Sequence, residues 1–148
     1  FIRGRQVVDV GSGAGLPGVP LAIANPAVQY TLLDSNGKKS RFLFEVKRAL
    51  MLSNVEIETV RVESWQPTRR FDSVVTRAFA DLATTLVRVE HVLSDQGMVY
   101  AMKTEQAQHE IDALPDATRQ VTAQNINVPG RDWPFQLLAV QPRVEAAL

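Results

Sequence analysis

Residues 6–18 read Gln-Val-Val-Asp-Val-Gly-Ser-Gly-Ala-Gly-Leu-Pro-Gly. The first five of these are mostly apolar and stop sharply at Gly11, the pattern of a short buried parallel strand. Glycines then alternate, and Pro17 suits the start of a helix that runs to Asn25-Pro26. A strand, a tight glycine turn and a helix N-terminus together make a corner that favours an anion or a nucleotide. The dinucleotide fingerprint needs glycine at its sixth position, where this chain carries Leu16.

Outward from this corner, strands and helices alternate. Residues 30–33 form the next strand and end at Asp34; Ser35 or Asn36 can cap a helix that starts near Lys38. In that helix Phe42, Val46, Ala49 and Leu50 share one face, which is expected to meet the core. Residues 55–62 and 71–76 read as strands, and a helix is expected from about Asp81 to Val92. Asp95-Gln96-Gly97 marks a turn before a fifth strand over 98–102, and residues 105–114 read as a helix ending at Pro115. Residues 120–128 and 135–141 supply two last strands. Only a turn around Pro129-Gly130 separates them, too short for a crossover helix, so they pair as an antiparallel hairpin. The expected fold is therefore α/β and Rossmann-like: a mostly parallel seven-stranded sheet with an antiparallel C-terminal strand, in one domain over residues 1–148.

Composition narrows the function. The chain has 148 residues, 45% hydrophobic and 22% charged, the profile of one globular domain. Sixteen basic and sixteen acidic side chains cancel, so no global charge points to a polyanion or polycation. Cysteine is absent, which excludes disulfides, thiolate metal sites and a cysteine nucleophile within this sequence. The uncharged stretch from Val10 to Leu33 holds four glycines and three prolines, a poor membrane helix, and no basic region precedes it as in a signal peptide. His91 and His109 have no second histidine at ligand spacing, so no metal is expected. Trp65, Trp133 and Phe135 read as core or rim packing.

The Asp-x-Gly-x-Gly-x-Gly arrangement from Asp9 through Gly11 and Gly13 to Gly15 resembles motif I of Rossmann-like S-adenosylmethionine-dependent methyltransferases. Its glycines let the backbone approach the methionine part of that cofactor, and Asp9 can hold loop amides or meet that end of the cofactor. Asp34, at the end of the second strand, stands where an acid accepts hydrogen bonds from ribose hydroxyls. Methylases of exocyclic amines in this fold usually carry an (Asp/Asn)-Pro-Pro-(Tyr/Phe) element after strand four. This chain has Thr76-Arg77-Ala78-Phe79 there. Carbon-5 pyrimidine methylation usually needs a cysteine. A ring nitrogen with a free lone pair needs neither device.

Four blocks make the likeness more specific: residues 9–18, residues 32–43 around Asp34-Ser35-Asn36-Gly37-Lys38-Lys39, Arg61-Val62-Glu63, and Arg77-Ala78-Phe79-Ala80. In order and spacing they resemble the bacterial 16S rRNA guanine-N7 methyltransferase family (RsmG, also called GidB), and the likeness extends to about Gln141. The resemblance implies methyl transfer to a guanine of small-subunit rRNA. It also implies cofactor contacts from Gly11, Leu16, Val62, Glu63 and Arg77, with Asp34 near the ribose. Two departures stand out. The family's N-terminal helical segment is lacking, so a domain shortened at its N-terminus is expected, and Thr104 follows Lys103 where the family usually has glycine.

Charge is locally uneven. Residues 38–48 set five bases against Glu45, and Lys38, Lys39 and Arg41 stand beside the glycine corner, where they can touch RNA phosphates or simply form a solvated helix face. Lys103 can do the same from the end of strand five, or be a plain surface lysine. Arginine is seldom buried unpaired, so Arg77 at a strand end reads as a site residue, with Glu63 as its partner or as an acceptor for the adenine amino group. Guanine N7 has no proton to lose, so no catalytic base is assigned. The expected protein is a cytoplasmic monomer that uses S-adenosylmethionine on 16S rRNA of the small ribosomal subunit. Three rivals remain: a small-molecule methyltransferase, an NAD-dependent oxidoreductase, which Leu16 argues against, and a non-catalytic nucleotide-binding fragment.

Overall fold

The computed structural model describes residues 2–104, 107–114, 120–132 and 135–142. Seven strands form one sheet: β1 (Gln6–Val10), β2 (Gln29–Leu33), β3 (Val55–Glu58), β4 (Phe71–Arg77), β5 (Leu93–Lys103), β6 (Gln120–Ile126) and β7 (Phe135–Gln141). Among the described residues four α-helices accompany them: α1 (Gly18–Ala24), α2 (Gly37–Ala49), α3 (Leu82–Val89) and α4 (Ala107–Asp112). The sheet order is β3-β2-β1-β4-β5-β7-β6. The first five strands pair in parallel, and β7 runs antiparallel to both β5 and β6. The chain winds one way from β1 to β3 and the other way from β4, so β1 and β4 flank the switch point of the sheet.

Alternation along the strands separates two cores. Val8, Val10, Val74 and Val99 face α3, where Leu82, Leu86 and Val89 cover them. Val7, Leu32, Val75 and Tyr100 face the side of α1 and α2, against Ala22 and Leu43. Central strands buried on both faces explain the near-continuous apolar runs in the sequence.

Three expectations need correction. The face of α2 that meets the core carries Ser40 and Leu43, while Phe42 and Leu50 are half exposed. The helix rotation follows its cap. Asn36 Oδ1 accepts from the Lys38 and Lys39 amides, and the Ser40 hydroxyl, 3.2 Å from the Asn36 carbonyl, is satisfied within its own turn. Ser40 can therefore be buried at little cost, a feature invisible to an apolar count. The strand expected over 55–62 ends at Glu58, and a 3-10 turn over Val62–Ser64 tucks Val62 into the α3-side core. Asp95-Gln96-Gly97 is no turn between elements; it lies within β5, whose register against β4 slips between Phe71–Leu93 and Ser73–Met98 to absorb the extra residues. The expected helix over 105–114 is described only from Ala107, and Trp133 lies outside the described residues. Trp65 packs on Phe71, ring centroids 5.5 Å apart.

Candidate functional site

At the carboxyl ends of β1 and β4 the backbone breaks away from the sheet to make a corner. Gly11 adopts φ 73°, and its amide and that of Ser12 both donate to the Leu33 carbonyl, at 2.8 and 3.1 Å. The Gly13 amide donates to Asp34 Oδ2 at 2.9 Å, and Asn36 donates to Asp34 Oδ1 at 2.8 Å. One carboxylate thus joins the glycine turn to the start of α2. The turn closes with Gly15 and Leu16 donating to the Ser12 carbonyl, and Leu16 stays 43% exposed at its edge.

Asp9 lies beneath this turn, fully buried. Its Oδ2 accepts from the Gly18 amide at 2.8 Å, and the Ser12 hydroxyl donates to its carbonyl at 2.9 Å. A Cβ on residue 18 would stand 2.6 Å from Asp9 Oδ2 and 2.3 Å from Leu32 Cδ2, so only glycine lets the helix start come this close. Burial pushes the Asp9 carboxyl up to about 6, with the Asp34 charge adding to the rise. The Gly18 amide, the Ser12 hydroxyl and the Arg77 guanidinium pull the other way. Asp9 Oδ1 has no hydrogen-bond partner, and neither does Thr76 Oγ1 near the end of β4. Buried polar atoms are rarely left so, and these two flank the switch point.

Above the turn opens a cleft of about 260 Å³. Gly11, Asp34, Val62 and Glu63 line it, together with Lys39. A slightly larger apolar groove, about 290 Å³, lies on the α1 side, and no Asp, Glu, Lys, Arg or His among the described residues lines it. The polar cleft at the strand ends is where ligands of open α/β sheets gather, and it is the candidate site. Its far wall comes from the turn after β4, where Ala78 and Phe79 had been given no site role, and from Arg88 of α3, which no motif had singled out. Ala78 holds φ 52°, an uncommon conformation for a residue with a Cβ. The turn there sets the Phe79 ring 3.1 Å from where a Gly11 Cβ would sit. Arg88 of α3 closes the rim, 3.2 Å from Glu63 Oε1.

A family model described as rRNA small subunit methyltransferase G, GidB, matches residues 1–134. The chain belongs to the GidB family. Among curated relatives, the ribosomal RNA small subunit methyltransferase G of Nitrosococcus oceani is 43% identical over 143 residues, covering 97% of this chain and 67% of the relative. Its counterpart from Idiomarina loihiensis is 41% identical over 97% of this chain and 69% of its own length. That of Legionella pneumophila is 50% identical over 70% of this chain and 50% of the relative. The chain thus spans half to about two thirds of the length of these relatives. Among solved structures, an S-adenosylmethionine-dependent O-methyltransferase from Thermotoga maritima superposes with a TM-score of 0.72 at 12% identity, over 99% of this chain and 63% of that one. An rRNA methylase from Streptococcus thermophilus gives 0.66 at 12% identity, over 97% and 90%. At such identities the likeness is one of fold, and that fold is the Rossmann-like methyltransferase fold expected from the sequence.

Against this GidB fold, the residues singled out in the sequence fall into groups. Asp9, Gly11, Gly13, Gly15, Leu16 and Asp34 form the turn and its supports, and Val62 and Glu63 line the cleft. Arg77 sits exposed at the end of β4, close enough to Asp9 to act on its charge, and does not line the cleft. Glu63 pairs with Arg88 instead of the expected Arg77. Lys38, Lys39 and Arg41 are exposed on the first turns of α2. Lys103 is not the open rim lysine expected. Its amine donates to the Ala80 carbonyl at 2.7 Å and pairs with Glu110 at 2.8 Å, and Glu110 also accepts from the Leu82 amide. It therefore braces the turn that carries Phe79. His91 Nε2 lies 3.0 Å from the Trp65 carbonyl, and among the described residues no cluster could hold a metal ion. No helix among them is long and apolar enough to cross a membrane.

Proposed function

We propose that this domain binds S-adenosylmethionine in the cleft between Asp34 and Phe79 and transfers its methyl group to N7 of a guanine in 16S rRNA of the small ribosomal subunit. The observation that carries the reading is the pair Asp9 and Asp34 at the glycine turn. Asp9 offers an unpartnered buried oxygen beneath the turn, and Asp34 anchors the turn at the end of β2. These residues suit the cofactor's two ends: an ammonium or its water would satisfy Asp9 Oδ1, and ribose hydroxyls would find further lone pairs on Asp34. Bound there, the cofactor supplies an electrophilic sulfonium methyl.

The chain's own work is positional. Gly11, Gly13, Gly15 and Leu16 shape the backbone around the methionine end, while Val62 and Glu63 hold the adenine side. Arg77 stands exposed beside the turn, where it can meet the cofactor carboxylate, which its charge suits. Lys38, Lys39 and Arg41 meet RNA phosphates, fixing register without reading sequence. Guanine N7 presents a lone pair and sheds no proton, so no residue acts as base, and alignment supplies the rate. The base meets the sulfonium either flipped out of its stack or already exposed.

Incubation with tritiated S-adenosylmethionine and purified 30S particles tests the reading. Label is expected in 16S rRNA, at a guanine where mild base removes the methylated base and aniline then cleaves the strand. Label confined to small metabolites, or none in the particles, contradicts it.

A further inference from the structure

Arg88 lies in the last turn of α3, outside every motif singled out in the sequence, yet its guanidinium joins three segments at the cleft. Its Nε is 3.2 Å from Glu63 Oε1, on the turn after β3. The guanidinium carbon stands 5.7 Å from the centroid of the Phe79 ring, on the turn after β4, in cation–π range. Phe79 in turn leans over Gly11. Each of these residues borders the same cleft, so the arginine sets the distance between its two outer walls.

We propose that Arg88 is a positioning residue that fixes the Glu63 carboxylate and the Phe79 ring on the adenosyl side of the cleft. The inference rests on the reading that this cleft takes S-adenosylmethionine. Side chains of Arg88 and Glu63 are each about two-fifths exposed, 41% and 39%, so the pair adds little to the stability of the fold. Its effect falls instead on the ligand. With the strut in place, Glu63 and Phe79 are ordered before the nucleoside arrives, and binding need not freeze them. Without it, both must be ordered at the moment of binding.

Calorimetric titration of the full chain with S-adenosylhomocysteine tests this, using wild type, Arg88→Met, Arg88→Lys, Glu63→Gln and the double variant Arg88→Met/Glu63→Gln. Arg88→Met is expected to weaken binding about five- to tenfold, with a stoichiometry still near one. Arg88→Lys keeps the charge but not the planar fork, and recovers part of the loss. The double variant binds about as weakly as the poorer single variant, because both changes break one strut. Arg88→Met binding within twofold of wild type overturns the inference, as does full additivity in the double variant. A lowered stoichiometry at unchanged affinity also overturns it, since that marks lost fold rather than lost positioning. A wild-type chain that binds no S-adenosylhomocysteine removes the proposed function itself, and the inference with it.

Discussion

Replacing Asp9 by asparagine should make this protein more stable and a poorer binder at once. The carboxyl is fully buried, with one oxygen on the Gly18 amide and the other without a partner. Burial raises it from 3.8 to about 6, a cost to the ionised form of about 3 kcal/mol at neutral pH, at 1.36 kcal/mol per pH unit. Because the folded value lies above the unfolded one, the folded chain holds more protons between those two values. The Asp9 contribution to stability is therefore largest in acid, falls as pH rises through that window, and levels off above about 6. Asparagine keeps the acceptor for Gly18 and has no charge to desolvate. Its advantage over wild type should grow by about 1.4 kcal/mol between pH 5 and pH 7.5. Urea unfolding of both proteins at the two pH values measures this difference. In parallel, S-adenosylhomocysteine affinity should fall by about tenfold to a hundredfold, the worth of a hydrogen bond to a charged group. A stability offset that does not change with pH, or a variant that binds the ligand as wild type does, refutes the reasoning.

Other substitutions probe the neighbouring parts. Gly18→Ala puts a Cβ 2.3 Å from Leu32 Cδ2 and 2.6 Å from Asp9 Oδ2, and should cost about 1–3 kcal/mol in thermal or urea unfolding. Gly11→Ala combines a φ of 73° with a 3.1 Å approach to Phe79, so it should lose ligand binding while keeping most of its Tm, as equilibrium dialysis and thermal melts can show. Arg77→Met leaves the exposed end of β4 free of charge and should lower S-adenosylhomocysteine affinity with little change in Tm. Lys103→Met strands Glu110 and frees the Ala80 carbonyl, so it should destabilise by about 1–3 kcal/mol and leave the salt dependence of RNA binding unchanged, in contrast to Lys39→Met.

How much of this was legible in the sequence differs by region. Periodicity and glycine placement located β1, α1, β2 and the antiparallel hairpin, because local rules govern each of them: apolar runs for buried strands, a short link for β6 and β7. Asp9 and Asp34 were legible as supports of the glycine turn because a turn between their strands needs glycines at fixed spacing. Less legible was anything set by partners distant in the chain. The buried face of α2 hinged on a capped serine, and the role of Lys103 on Glu110 and Ala80, none of which leaves a periodic trace. Arg88 is the extreme case. It meets Glu63 twenty-five positions earlier only because α3 packs beside the turn after β3, and the one available signal was an arginine in a helix otherwise apolar or hydroxylated.

In the proposed function the cleft at the ends of β1 and β4 holds an adenosyl sulfonium ligand. A crystal structure of the chain soaked with S-adenosylhomocysteine tests it most directly. Density is expected for the ribose against Asp34, the amino-acid end over the glycine turn above Asp9, and the adenine between Val62 and Phe79. Ligand density confined to the apolar groove beside α1, or a cleft that stays empty at saturating ligand, contradicts it.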